Sequence, residues 1–215
     1  MHGEGVDALL RRWVLWAGGG EAVGFAVPAL AGAAVGAVRP GLLLPALVVA
    51  GAGEGAVLGW AQSRVLRRVG VDPARWTALT SAAAAVAWLL GMGWFGSDRL
   101  RGSAPVPLLV AGSVLVGAVV LLSIGTAQAG ELRRVVGRPR PWVVANVLAW
   151  GAGLTVFGLV TTPLWQPGQA GGVVLAIGLL GGVLMAGTMA LVTGAALVRL
   201  LRSPVPTGSD EGHPR

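Results

Sequence analysis

At 215 residues, 54% hydrophobic and only 12% charged, with a mean hydropathy of +0.75, the chain lies far from soluble domains, in which about 25% of residues are charged. Its formal charge of +7 rests on sixteen arginines and no lysine, and these sit between apolar runs rather than on one basic face, which argues against nucleic-acid binding. There is no cysteine or tyrosine, and His2 and His213 are the only histidines, so the usual means for disulfides, thiolate or haem metal sites and Schiff-base cofactors are missing, and neither cofactor nor metal is expected.

Residues 1–12, with Glu4, Asp7, Arg11 and Arg12, read as a short polar start before an apolar run from Trp13 to about Val38. A cleaved signal peptide is one reading, with Ala29-Leu-Ala31 as the cleavage signal. A retained helix is preferred, because Gly20, Gly24, Gly32 and Gly36 recur every four residues as a packing face around Pro28, where a kink is expected. The second run, Gly41 to Gln62, carries the ridge Gly51, Gly55 and Gly59 and ends in Arg64, Arg67 and Arg68. Small residues at that spacing let two helices approach closely inside a bilayer.

The third run opens at Trp76 and ends at Phe95, before Asp98, Arg99 and Arg101. The fourth spans Val106 to Gln128 and closes on Glu131, Arg133 and Arg134; the fifth spans Trp142 to Thr162 and the sixth Gly172 to Leu197. Each is close to the roughly 20 apolar residues that one crossing needs. Residues 203–215, rich in Pro, Ser, Gly and acids, read as a disordered cytoplasmic tail, which leaves 1–202 as a single transmembrane domain. Thirteen arginines fall on one side of this topology, and only Arg39, Arg99 and Arg101 on the other. Arginine-rich loops stay cytoplasmic, so both termini are expected there, with the arginines against anionic lipid. Trp13, Trp60, Trp76 and Trp142 would then belong to the inner aromatic belt, and Trp94 and Trp165 to the outer one. A second copy or another membrane protein is a further candidate partner.

The runs also repeat. Gly59, Gln62, Leu66, Arg67 and Arg68 match Gly125, Gln128, Leu132, Arg133 and Arg134 at an offset of 66, as Pro73 and Trp76 match Pro139 and Trp142. Arg12-Trp13 matches Arg75-Trp76 at offset 63, and Gly194 and Leu201-Arg202 match Gly125 and Leu132-Arg133 at offset 69. The fold class expected is therefore all-α integral membrane, with six transmembrane helices as three parallel two-helix repeats over 13–67, 76–133 and 142–202, related by an axis along the membrane normal. The pattern G-x-x-Q-x-x-x-L-R, then a turn and a tryptophan, resembles uncharacterised multi-pass bacterial membrane proteins with similar repeated segments, over roughly residues 51–93 and 117–160. That resemblance implies a bacterial cytoplasmic membrane and carries no activity.

Chemistry is sparse. H-E-x-x-H, G-x-S-x-G and G-x-x-x-x-G-K-[ST] are absent, so no catalytic residue is assigned, and Gly51, Gly53, Gly55 and Gly59 are packing positions rather than a phosphate loop. Glu21 and Glu54 are the acids well inside apolar runs, where a charge costs about 2.5–3.5 kcal/mol. At about 1.5 Å per residue, the two reach similar depths on adjacent helices, which suggests one shared polar pocket. The glycines beside them, Gly20 and Gly24 on the first helix and Gly51, Gly55 and Gly59 on the second, allow that approach. Their equivalents in the other copies are apolar: Ala84 and Trp150 for Glu21, Val120 and a position near Ala186–Met189 for Glu54.

Gln62 and Gln128, with Leu197 at the third equivalent, either bond between helices or line a pathway, and Gly125 joins the packing glycines. Glu131 reads as a surface partner of Arg134. The candidate polar site is Glu21, Glu54, Gln62 and Gln128. The expected function is a small-solute or proton-linked transporter; the alternative is a non-catalytic scaffold or accessory subunit, and an enzyme ranks third.

Overall fold

The computed structural model of the protein describes residues 3–36, 38–97 and 102–202; His2, Asp98, Arg99, Arg101 and the tail 203–215 lie outside the described residues. Helix α1 (Gly3–Trp13) runs through a π-helical turn at Val14–Gly18 into α2 (Gly19–Gly36). It is followed by α3 (Leu43–Leu66), α4 (Pro73–Phe95), α5 (Val106–Leu132), α6 (Arg140–Leu164) and α7 (Gly171–Arg202), and no strand occurs among the described residues. Six helical spans are long and apolar enough to cross a membrane: Gly5–Gly36, Pro40–Val69, Pro73–Phe95, Val106–Leu132, Arg140–Leu164 and Gly171–Arg202.

The start of the chain corrects the sequence reading. Its residues are helical because Val6, Leu9, Leu10 and Trp13 follow i, i+3, i+4, i+7 spacing, one apolar stripe with Asp7, Arg11 and Arg12 exposed beside it. That stripe docks: Leu9 packs against the core around Trp13, and Leu10 lies over Gly194 of α7. The helix also continues through Pro28, which is buried.

Short links keep sequential helices antiparallel. Between α3 and α4, Gly70 takes a left-handed conformation (φ 92°), and Asp72 caps α4 by accepting from the Ala74 and Arg75 amides at 2.9 and 3.2 Å, with Pro73 preset for the first turn. The helices close into a ring in chain order, α2 on α3, α3 on α4, α4 on α5, α5 on α6, α6 on α7, and α7 back on α2. One end of the ring gathers Arg64, Arg67, Arg68, Arg75, Arg133, Arg134, Arg140, Arg199 and Arg202, since α3, α5 and α7 end there and α4 and α6 begin there. α2, α4 and α6 end, and α3, α5 and α7 begin, at the opposite or far end.

Large apolar side chains lie on the outer surface as well as in the core. Leu15, Val49 and Leu159 are 74%, 74% and 72% exposed, while the closest inter-helix contacts fall on glycine. A methyl group on Gly55 would stand 2.7 Å from the Thr80 carbonyl oxygen and 2.9 Å from Ser81 Cα; on Gly59, 2.9 Å from Thr77 Cα; on Gly125, 2.9 Å from Asn146 Cβ. On α2, Gly24 lies over the Glu54 backbone, where a methyl would come within 3.0 Å of the carbonyl oxygen, and Gly20 lies on Ala61. Gly32 and Gly36 do not extend this seam: their nearest neighbours are the Leu47 and Leu43 side chains at the ordinary distances of 3.7 and 3.8 Å.

Candidate functional site

All six of the long helices wall a central cavity of about 280 Å³. The walls are apolar apart from two carboxylic acids, Glu21 from α2 and Glu54 from α3, which both line it. Glu54 is 5% exposed and is held by Trp88 of α4, whose indole Nε1 donates to Oε2 at 2.6 Å. This bond depends on Gly51, one turn before Glu54, because the Trp88 ring lies in the space that a side chain there would fill. Glu21 is 1% exposed, and neither of its carboxyl oxygens has a hydrogen-bond partner. Such a group is costly in an apolar interior unless something else comes to meet it. From the two acids the cavity reaches Met92 and Phe95 in the last turn of α4, so it extends toward the far end of the bundle.

Toward the arginine-rich end it is closed. Leu58 and Ile124 form its lower wall, and one helical turn beyond them come Gln62 and Gln128. These two glutamines therefore do not join the acids. They belong to a separate polar layer built with three tryptophans, Trp13, Trp76 and Trp142, each 0% exposed. Trp142 packs edge-on against Trp13 (5.7 Å between centroids, 82°) and tilted against Trp76 (6.1 Å, 55°). Every indole N–H is satisfied: Trp76 donates to Gln62 Oε1 (3.0 Å), Trp142 to Gln128 Oε1 (3.1 Å) and Trp13 to Thr193 Oγ1 (2.9 Å). Gln128 Nε2 then donates to Gln62 Oε1 (2.9 Å) and Thr80 Oγ1 (3.0 Å), tying α5 to α3 and α4.

This arrangement corrects the expected aromatic belt. Trp13, Trp76 and Trp142 stand at the right height but on the inward face, buried with Leu66, Leu132 and Leu197. Trp60 is the one of those four that faces outward, 45% exposed, with the Arg64 guanidinium 4.6 Å from its ring and Trp16 edge-on at 5.7 Å. At the far end, Trp165 is 40% exposed, whereas Trp94 turns onto Gly112 and donates to Ser113 Oγ at 3.0 Å.

Glu131 is likewise not a surface residue. It is 3% exposed and lies between Arg75 of α4 (3.4 Å) and Arg134 (3.5 Å), so it clasps two helices at the arginine-rich end. Sequence spacing revealed only the local partner, because Arg75 comes from another helix. Trp88 and Thr193 were also missed. For Thr193 a signal existed, since Leu197 stands where the expected repeat would put a third glutamine and the nearest polar side chain on the same face is one turn earlier. Among the described residues, no group of three or more His, Cys, Asp or Glu is placed to hold a metal ion. Comparison with protein-family models, with curated proteins and with solved structures found no match.

Proposed function

We propose that the chain is a six-pass membrane protein of three parallel two-helix repeats, whose central cavity is the site of a small-solute or proton-linked transporter using Glu21 and Glu54. Membrane insertion is supported by six long apolar helices that leave many large apolar side chains exposed on the outer surface. The repeat is supported by equivalent contacts. Trp76 bonds Gln62, and Trp142 bonds Gln128, both at the same offset of 66; Gly59 packs on Thr77 and Thr80, and Gly125 on Val143 and Asn146, again at that offset. Positions equivalent under the repeat also meet around the cavity, with Glu21, Ala84 and Trp150 as one set and Phe25, Trp88 and Leu154 as another. That is the pattern of an axis running through the cavity.

Arginine bias puts the plugged end and both chain ends in the cytoplasm, so that the cavity faces outward. A periplasm-active reporter fused after residue 137 is expected to stay silent, and one fused after residue 168 to be active. The opposite pattern would reverse the orientation.

The observation that carries the transport reading is the unpartnered carboxyl of Glu21 on the wall of an otherwise apolar cavity. Buried acids of this kind are expensive within a bilayer and are kept where protons or solutes pass. Proteoliposomes with a pH dye sealed inside, challenged with the low-molecular-mass fraction of a bacterial extract, are expected to show an internal pH change that Glu21→Gln and Glu54→Gln abolish. If the variants respond like the native protein, or the native protein does no more than empty vesicles, the chain is a scaffold instead.

A further inference from the structure

The charge inventory of the cavity is one-sided. Its lining has Glu21 on α2 and Glu54 on α3, while α4, α5, α6 and α7 contribute residues such as Trp88, Ile124, Trp150 and Met185, and no arginine, lysine or histidine. An anion would meet two acids and nothing to neutralise it. A hard metal cation prefers six or more oxygen ligands, and here one carboxyl is already engaged by Trp88 and only two acids are present. A neutral apolar solute would offer the buried, unpartnered Glu21 carboxyl neither a charge nor a hydrogen bond. What answers both the oxygens and the rings is an organic cation, because an ammonium pairs with a carboxylate and is attracted to indole and phenyl faces.

Resting on the reading of the cavity as a solute site, we propose that it takes a small monovalent organic ammonium, with Glu21 as the counter-ion and Phe25, Trp88 and Trp150 as the surrounding aromatic surface. The two acids have separate tasks. Trp88 fixes Glu54, whereas Glu21 is free to change partner. As the ammonium enters from the far end it takes the place of the carboxyl proton of Glu21, which leaves to the bulk by the same route, so one monocation exchanges for one proton and the net charge of the cavity is unchanged. A bilayer-embedded site with no other countercharge favours that exchange over adding a second charge. The volume of about 280 Å³ limits the ligand to a small one, at the lower edge of the range of about 300–1,000 Å³ usual for small-molecule pockets.

The test is equilibrium binding of radiolabelled benzyltrimethylammonium to the full chain in nanodiscs. Unlabelled neopentylbenzene, its neutral isostere, and benzenesulfonate, an anion of similar size, serve as competitors. One cation is expected to bind per chain, displaced by neither competitor. Between pH 6 and 8 its apparent affinity is expected to rise with pH, by up to about tenfold per pH unit, the limit set by one released proton. Glu21→Gln removes the counter-ion and is expected to flatten that pH dependence and abolish most of the binding. The isostere comparison and the pH series use the native chain, so they decide the matter even if the variant fails to assemble. Displacement by neopentylbenzene or benzenesulfonate, or pH-independent binding, would overturn the ammonium assignment. So would absence of cation binding while the vesicle pH response persists, which leaves the transporter reading standing for a different solute; loss of both would remove the two together.

Discussion

Gly55→Leu is expected to prevent assembly of the bundle, with the chain recovered from detergent extracts as aggregate rather than as a single species on size-exclusion chromatography. The reason is backbone proximity. At Gly55 even a methyl group would stand 2.7 Å from the Thr80 carbonyl oxygen, 2.6 Å from Ala84 Cβ and 2.9 Å from Ser81 Cα. Two of those three neighbours are main chain and cannot swing aside, so α3 and α4 would have to separate. Overpacking costs about 1–3 kcal/mol for modest insertions into a packed core, and leucine adds four carbons where one does not fit. Gly53→Ala is the matched control. Two residues earlier on the same helix, its new methyl would meet only Val27 Cγ1 at 3.7 Å, an ordinary contact. There the higher helix propensity of alanine, up to about 1 kcal/mol over glycine, is expected to stabilise. Substitutions of opposite sign two residues apart would establish that close approach, not glycine content, is what the ridge provides. Equal effects would dismiss the ridge.

The number and approximate ends of the six long apolar spans were legible in the sequence because apolar run length is a one-dimensional signal that tertiary packing does not alter. Direction around the helix was not. Trp13, Trp76 and Trp142 sit near helix ends in an arginine-rich region, which fits a belt by height alone, and height is silent about facing. The information was nevertheless present. Gln62 precedes Trp76, and Gln128 precedes Trp142, by the same interval, and a polar residue recurring with an indole at fixed spacing is a better sign of a hydrogen-bonded pair than of an interface anchor. Glu54 and Trp88 are different: a bond between residues 34 apart has no local signature, and it became visible only once α3 and α4 were packed. The same holds for Arg75 and Glu131. Depth arguments put Glu21 and Glu54 at one level, but only the cavity reveals that Gln62 and Gln128 form a layer of their own.

On the proposed repeat, the seam between α7 and α1 departs from the other two seams by one helical turn. Under the offsets, Gly194 should face Val14 and Ala17, as Gly59 faces Thr77 and Thr80; it faces Leu10 and Trp13 instead, one turn away. The indole acceptor has moved by the same turn, from position 197 to Thr193. A slip of one whole turn leaves each helix showing the same face to its neighbour, so the knob-and-groove contact survives with new residues. The π-helical turn Val14–Gly18 follows immediately, and such an insertion re-phases a helix. Through it α2 leaves this shifted seam and still presents Glu21 and Phe25 to the cavity.

Trp142→Ala is expected to be the most damaging single truncation in the polar layer, lowering the apparent Tm in detergent by about 10 °C. Its ring is fully buried and touches both other tryptophans, and truncating a buried large aromatic costs about 3–5 kcal/mol, at roughly 2–4 °C per kcal/mol for a chain of this size. Most of that is lost packing rather than the hydrogen bond, and a second comparison separates the two. Gln128→Leu removes three bonds, yet Gln62 Oε1 keeps its donor Trp76, and Thr80 Oγ1 still donates to the Trp76 carbonyl. The group left orphaned is the Trp142 N–H. Two magnitudes compete: a buried unsatisfied donor costs about 1–3 kcal/mol, whereas side-chain bonds between membrane helices average about 0.6 kcal/mol. Because Trp142 has no exposed surface through which to find water or another partner, the first should prevail, and Gln128→Leu should cost more than 1 kcal/mol. Adding Trp142→Phe to Gln128→Leu removes the stranded donor. Under the proposed repeat leucine occupies the corresponding site as Leu197, so the double variant is expected to be more stable than Gln128→Leu alone, although Trp142→Phe by itself destabilises. A double variant whose loss equals the sum of the single losses would mean that the indole and the glutamine do not act as a pair, and that the layer is held by ring packing alone.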